Sequence, residues 1–134
     1  MKNALSLNKF PGRLVLVFIL SGIKIASGQD VKDQAAPIPD EIIKILKPSC
    51  INCHDNNGKI LARIKLNFST WADYSSLDGA KKASVICSEL VKESMPPKSS
   101  RKSNPELIPS KEQIEIICRW AETLKIKEEE KRVR

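Results

Sequence analysis

The run Cys50-Ile51-Asn52-Cys53-His54 places two thiols three residues apart and an imidazole directly after the second. That spacing is the c-type haem attachment pattern. Two cysteines so placed reach the two vinyl groups of one porphyrin as thioethers, and the adjacent histidine is then held under the iron as an axial nitrogen ligand. Three other chemistries use some of the same residues. A thioredoxin-like dithiol would follow a strand in a βαβ unit, whereas what precedes Cys50 is helix-patterned and ends in Pro48. A structural zinc site drawn from Cys50, Cys53, Cys87 and Cys118, or with His54 replacing one of them, lacks a second closely spaced ligand pair. A Cys50–Cys53 disulfide beside a surface histidine leaves the preceding helix and the proline-stiffened segment at Met95 without a role.

An iron held in this way passes electrons without binding anything else only if its sixth position is filled. His54 is the only histidine of the chain, which excludes bis-histidine ligation within it. Beyond residue 28 the only methionine is Met95. It stands off the apolar stripe Ala83, Ile86, Cys87 and Leu90, and Pro96-Pro97 after it stiffen the backbone and remove two donors. These features point to Met95 as a thioether ligand on an extended strap. Core packing of Met95, an open sixth position, or a lysine ligand such as Lys92 or Lys98 are the alternatives.

The elements that must position these residues begin after a targeting segment. Residues 1–28 carry Lys2, Lys9 and Arg13, then the apolar run Leu14 to Leu20, then Ala26-Ser27-Gly28, the layout of a secretory signal peptide. The apolar run is short of the roughly 20 residues that span a bilayer, so no membrane span is expected after cleavage; an uncleaved anchor is the alternative. The segment holds four basic residues and no acid, so the formal charge of +7 for the chain becomes +3 beyond residue 28. With few aromatics left to stack on bases, a nucleic-acid partner loses its support. The expected compartment is the periplasm or an equivalent exported space. Residues 29–39 read as a linker, residues 40–126 as one domain and residues 127–134 as a charged, solvated helix end.

Within the domain, Asp40 is placed as the N-cap of a two-turn helix that Pro48 should stop. Asp55 to Ser69 reads as irregular, with an extended piece at Ile64 to Phe68, and Ser69 as the cap of a helical turn through Tyr74. A longer helix is expected from Leu77 to Lys92, a surface loop from Lys98 to Pro109, and a last helix opened by a Ser110/Gln113 capping box. Its apolar face is Ile114, Ile117, Cys118, Ala121 and Leu124. Cys87 and Cys118 fall on the apolar faces of these two helices, where two buried thiols or a disulfide would both fit. Export favours the disulfide, because an oxidising compartment drives idle thiols to pair.

The segments Ile45 to His54, Leu66-Asn67-Phe68, Met95-Pro96-Pro97-Lys98, Leu107 to Ile114 and Trp120 together resemble a monohaem class I cytochrome c, of the type called planctomycete cytochrome c domains. The resemblance spans roughly Ile42 to Leu124. It implies an all-α fold of three to five helices around one covalently attached haem c, with the first and last helices in contact. It implies covalent haem binding by Cys50 and Cys53, axial iron ligation by His54 and Met95, and single-electron transfer rather than an enzyme activity. Cys87 and Cys118 are not part of that pattern. Trp71, Tyr74 and Trp120 are candidate pocket or propionate contacts, with plain core packing as the alternative. Lys92, Lys98, Arg101, Lys102 and Lys111 cluster around the Met95 strap and could steer an acidic redox partner protein. The competing function is a haem domain that binds or senses a small ligand by displacing the Met95 strap. A peroxidase is disfavoured, because no second histidine is present for acid and base work.

Overall fold

The computed structural model describes residues 33–134; the segment read as a signal peptide lies outside them. Ile42, Ile45 and Leu46 recur at helical spacing and are the buried residues of α1 (Asp40–Leu46). Pro39 is the N-cap rather than Asp40, and Asp40 and Glu41 occupy the first turn, where the helix end favours negative charge. Pro48 does not stop the chain's winding. A wider, π-helical turn spans Lys47–Ile51 with the proline in its first turn, where a missing N–H leaves nothing unbonded.

The stretch expected to be irregular contains α2 (Ile60–Lys65). Its large apolar residues face outward, Ile60, Leu61 and Ile64 being 63%, 78% and 73% exposed. A 3₁₀ segment follows at Phe68–Asp73, with the Asn67 side chain rather than Ser69 accepting the capping bond. Next is α3 (Ser76–Val91), whose N-cap Ser75 accepts from the Asp78 N–H. The segment expected as a loop after Met95 holds α4 (Lys98–Ser103) and a 3₁₀ turn at Pro105–Leu107. Pro97, at the N-cap, already has the backbone angle that leads into a helix.

The last helix, α5 (Lys111–Val133), opens with the expected capping box: the Gln113 N–H donates to Ser110 Oγ, and the Ser110 N–H donates to Gln113 Oε1. It continues as helix through the charged residues 127–133, which are exposed except for Glu128, half-buried and paired with Lys131. Among the described residues the fold is all-α, with one isolated bridge between Gln34 and Ser75 and no strand.

Helices α3 and α5 pack along each other, and α1 rests on α5. Between them lies a core of Ile42, Ile45, Leu46, Ala83, Ile86, Leu90, Ile117 and Trp120. Cys87 and Cys118 join α3 to α5 as a disulfide, with Cα atoms 4.9 Å apart, inside the separation a bridge requires. The packed body also starts earlier than Asp40. Ala35 is buried, its N–H donates to the Tyr74 carbonyl, and Trp71 Nε1 donates to the Ala36 carbonyl. Gly79 makes room for this segment, since a Cβ there would stand 2.6 Å from Ala35 Cβ. Sequence polarity alone hides such packing, because one small alanine fills the gap. No helix among the described residues is long and apolar enough to cross a membrane.

Candidate functional site

The attachment motif occupies the end of the π-helical turn and the tight turns that follow. The Cys53 and His54 N–H groups both donate to the Cys50 carbonyl, at 3.1 and 3.0 Å, and wind the motif into one turn. The Phe68 N–H then donates to the His54 carbonyl at 2.8 Å, which ties the motif to the 3₁₀ segment. Between these anchors Gly58 passes against the motif, so close that a Cβ there would lie 2.5 Å from the Cys53 carbonyl carbon.

His54 is oriented from behind by α2. Its Nδ1 lies 3.0 Å from the Ala62 carbonyl oxygen and 3.1 Å from that of Leu66. Carbonyl oxygens only accept, so Nδ1 carries the proton and donates to both. In the neutral ring the lone pair is then on Nε2, which has no hydrogen-bond partner among the described residues. The ring edge also meets Phe68, with centroids 6.4 Å apart at 84°, and Phe68 stacks on Trp71.

Two clefts adjoin this histidine. The larger, of about 330 Å³, has Cys50, His54 and Met95 in its lining, apolar walls from Leu66, Phe68, Ile86 and Leu90, and the charged groups of Lys65, Lys82 and Glu89. The smaller, of about 110 Å³, shares Cys50, His54 and Met95 and adds Cys53, Ala62, Pro96 and Leu107. Residues that sequence reading brought together, Cys50, Cys53, His54 and Met95, thus line one pair of adjoining clefts. Its size and its apolar lining with few polar groups are those of a small-molecule or cofactor site.

Cys50 and Cys53 are unpaired. Burial, and secondarily the neighbouring Cys53, pushes the Cys50 thiol up to about 12. A redox-active dithiol needs the opposite, a thiolate stabilised near neutral pH. The zinc arrangement also loses its ligands, because Cys87 and Cys118 are bonded to each other. Among the described residues no three His, Cys, Asp or Glu side chains converge as a metal-binding group. The donor set that remains is an imidazole nitrogen, a thioether and two thiols around an apolar cleft, which fits a covalently held haem.

Trp71 and Trp120 are not in the lining of either cleft; they are core residues, with ring centroids 5.7 Å apart. Tyr74 packs partly buried against them and its hydroxyl accepts from the Asn67 N–H. The aromatic ring in the cleft is Phe68. Of the basic cluster, Lys92, Lys98, Lys102 and Lys111 are exposed, while Arg101 is largely buried and pairs with the exposed Glu93. Comparison of the chain with protein-family models, curated proteins and solved structures finds no match.

Proposed function

We propose that this protein is an exported monohaem c-type cytochrome that carries single electrons, with Cys50 and Cys53 as thioether attachments and His54 and Met95 as axial iron ligands. The observation that carries the proposal is the double donation from His54 Nδ1 to the Ala62 and Leu66 carbonyls. It commits the proton to Nδ1, aims the ring, and makes Nε2 the available ligand atom, as a metal-bound histidine requires. Support comes also from Met95 sharing both clefts with Cys50 and His54. When bound, haem supplies a one-electron iron couple whose potential is raised by methionine ligation.

The chain's own residues do the rest. Leu66, Phe68, Ile86 and Leu90 give the cleft apolar walls against which a porphyrin face would pack. The backbone carbonyls of residues 62 and 66 fix the tautomer and the orientation of the imidazole. The exposed side chains of Lys92, Lys98, Lys102 and Lys111 stand ready to steer an acidic redox partner.

The test is expression of the full chain alongside a cytochrome c maturation system, read by intact mass and by a pyridine haemochrome spectrum. One haem per chain that survives denaturation supports the proposal, and a chain, cleaved or not, whose mass lacks the haem increment ends it. A ferric spectrum that turns high-spin would replace electron transfer with small-ligand binding at a displaced Met95.

A further inference from the structure

The turn that carries Met95 is closed at its two ends by one ion pair. Helix α3 finishes at Val91 with Lys92 as its cap, and Glu93 then takes a left-handed φ of 55°. An L side chain adopts that conformation only against a steric cost. The hydrogen bonds that hold it are those of a helix-ending motif: the Glu93 N–H donates to the Leu90 carbonyl and the Ser94 N–H to the Glu89 carbonyl, both at 3.0 Å. The Glu89 carbonyl also accepts from the Met95 N–H at 3.2 Å and from Ser94 Oγ at 3.0 Å. The backbone of Met95 is therefore tied to the last turn of α3.

On the far side Pro97 opens α4, and one turn later Arg101 reaches back so that its Nη1 donates to Glu93 Oε2 at 3.4 Å. The pair is unequal. The Arg101 side chain is 18% exposed and Glu93 79%, and Arg101 Nε is buried without a hydrogen-bond partner among the described residues. A largely buried guanidinium with this one carboxylate beside it is left uncompensated when the carboxylate goes. The relief available to it is movement of α4 toward water, and α4 begins at the residue after Pro97.

We propose that Glu93 and Arg101 are a positioning pair for Met95, which keeps the Ser94–Pro97 turn closed on the cleft and external ligands away from the position Met95 occupies. The ligand role of Met95 rests on the haem reading above, whereas the closure of the turn does not.

The test uses the full chain as Glu93→Gln, Arg101→Met and Arg101→Lys. Glu93 is exposed, so Glu93→Gln removes the charge without emptying the core and stands in if Arg101→Met does not fold. In haem-loaded protein, Glu93→Gln and Arg101→Met should bind added imidazole about three- to fivefold more tightly than the parent, the range that one partly exposed ion pair supports. They should weaken the methionine-to-iron absorption band in parallel, and Arg101→Lys should restore most of both. In chain without haem, the Met95 amide should exchange its hydrogen faster by a similar factor in the two charge-removing variants. Imidazole affinity, band and exchange all equal to the parent's would overturn the pair's role. A parent chain that never loads haem would refute the haem reading alone, and the exchange rate would still decide whether the pair closes the turn.

Discussion

Gly58 and Cys53 are packed backbone to backbone: a Cβ on Gly58 would lie 2.5 Å from the Cys53 carbonyl carbon and closer still to its oxygen. Neither atom can swing aside as a flexible side chain would, because the Cys53 carbonyl belongs to the motif turn. Gly58→Ala should therefore displace the turn or the motif, at about 1–3 kcal/mol of stability, the usual cost of forcing in an extra methyl group. Denaturant unfolding measures the loss, and the fraction of chains carrying covalent haem should fall with it. A Gly58→Ala protein with the parent's midpoint and haem content would show that the turn relaxes freely.

The two axial residues should fail in different ways. His54 is held by two carbonyls and is the only histidine, so His54→Ala should abolish a stable low-spin haem. Met95 lies on a turn outside the attachment motif, so Met95→Ala should keep covalent haem but give a high-spin or ligand-accessible iron. An unchanged spectrum and potential in Met95→Ala would remove Met95 from the ligand set.

Burial of Cys50 gives a pH signature in the chain without haem. Its folded thiol is pushed up to about 12 from an ordinary value of 9.0. Between those limits the folded chain keeps a proton that the unfolded chain has released, so stability falls as pH rises from about 9 to about 12. The informative quantity is parent minus Cys50→Ala, which isolates the contribution of this thiol. That difference should shrink with rising pH, and haem-loaded protein, with no thiol at Cys50, should lack this contribution. A difference independent of pH would mean that the Cys50 thiol is solvated.

What the sequence discloses follows from whether side chains report their own surroundings. In α1, α3 and α5 the buried face is built from apolar residues at helical spacing, so the period of Ile42, Ile45 and Leu46, or of Ala83, Ile86 and Leu90, gives element and face together, although Val85, Val91, Ile126 and Val133 stay exposed. The helix α2 inverts this relation. It turns Ala62 toward the cleft and leaves Ile60, Leu61 and Ile64 in solvent, so its large apolar residues do not mark the face that packs. In the site, the motif residues are legible because their chemistry is in their side chains. The groups that orient His54 are the carbonyls of Ala62 and Leu66, which every residue type possesses. Phe68 rather than Trp71 in the cleft, and Arg101 turned inward rather than out toward a partner, depend on three-dimensional packing that spacing does not encode.

The disulfide between Cys87 and Cys118 ties the helix before Met95 to the helix after α4, across a sequence separation of 31 residues. In the chain-entropy account a loop of that length contributes about 3–4 kcal/mol by restricting the unfolded chain. The double variant Cys87→Ser, Cys118→Ser should lose that amount in denaturant unfolding, and reductant should lower the parent's midpoint while leaving the variant's alone. Serines in place of both sulfurs avoid a stray thiol. Thiol counting under denaturing conditions gives the chemical check. Haem-free parent purified without reductant should show no more than two alkylatable thiols, those of Cys50 and Cys53 where they have not oxidised to each other, and four after reduction. Haem-loaded parent should show none before reduction and two after it, because its first pair is consumed as thioethers. Four thiols in unreduced, haem-free parent would mean that α3 and α5 are held together by packing alone. Met95 lies within the closed loop, so the disulfide restrains the same turn that the Glu93–Arg101 pair closes. The double serine variant should for that reason bind added imidazole more tightly than the parent even in conditions where it remains fully folded.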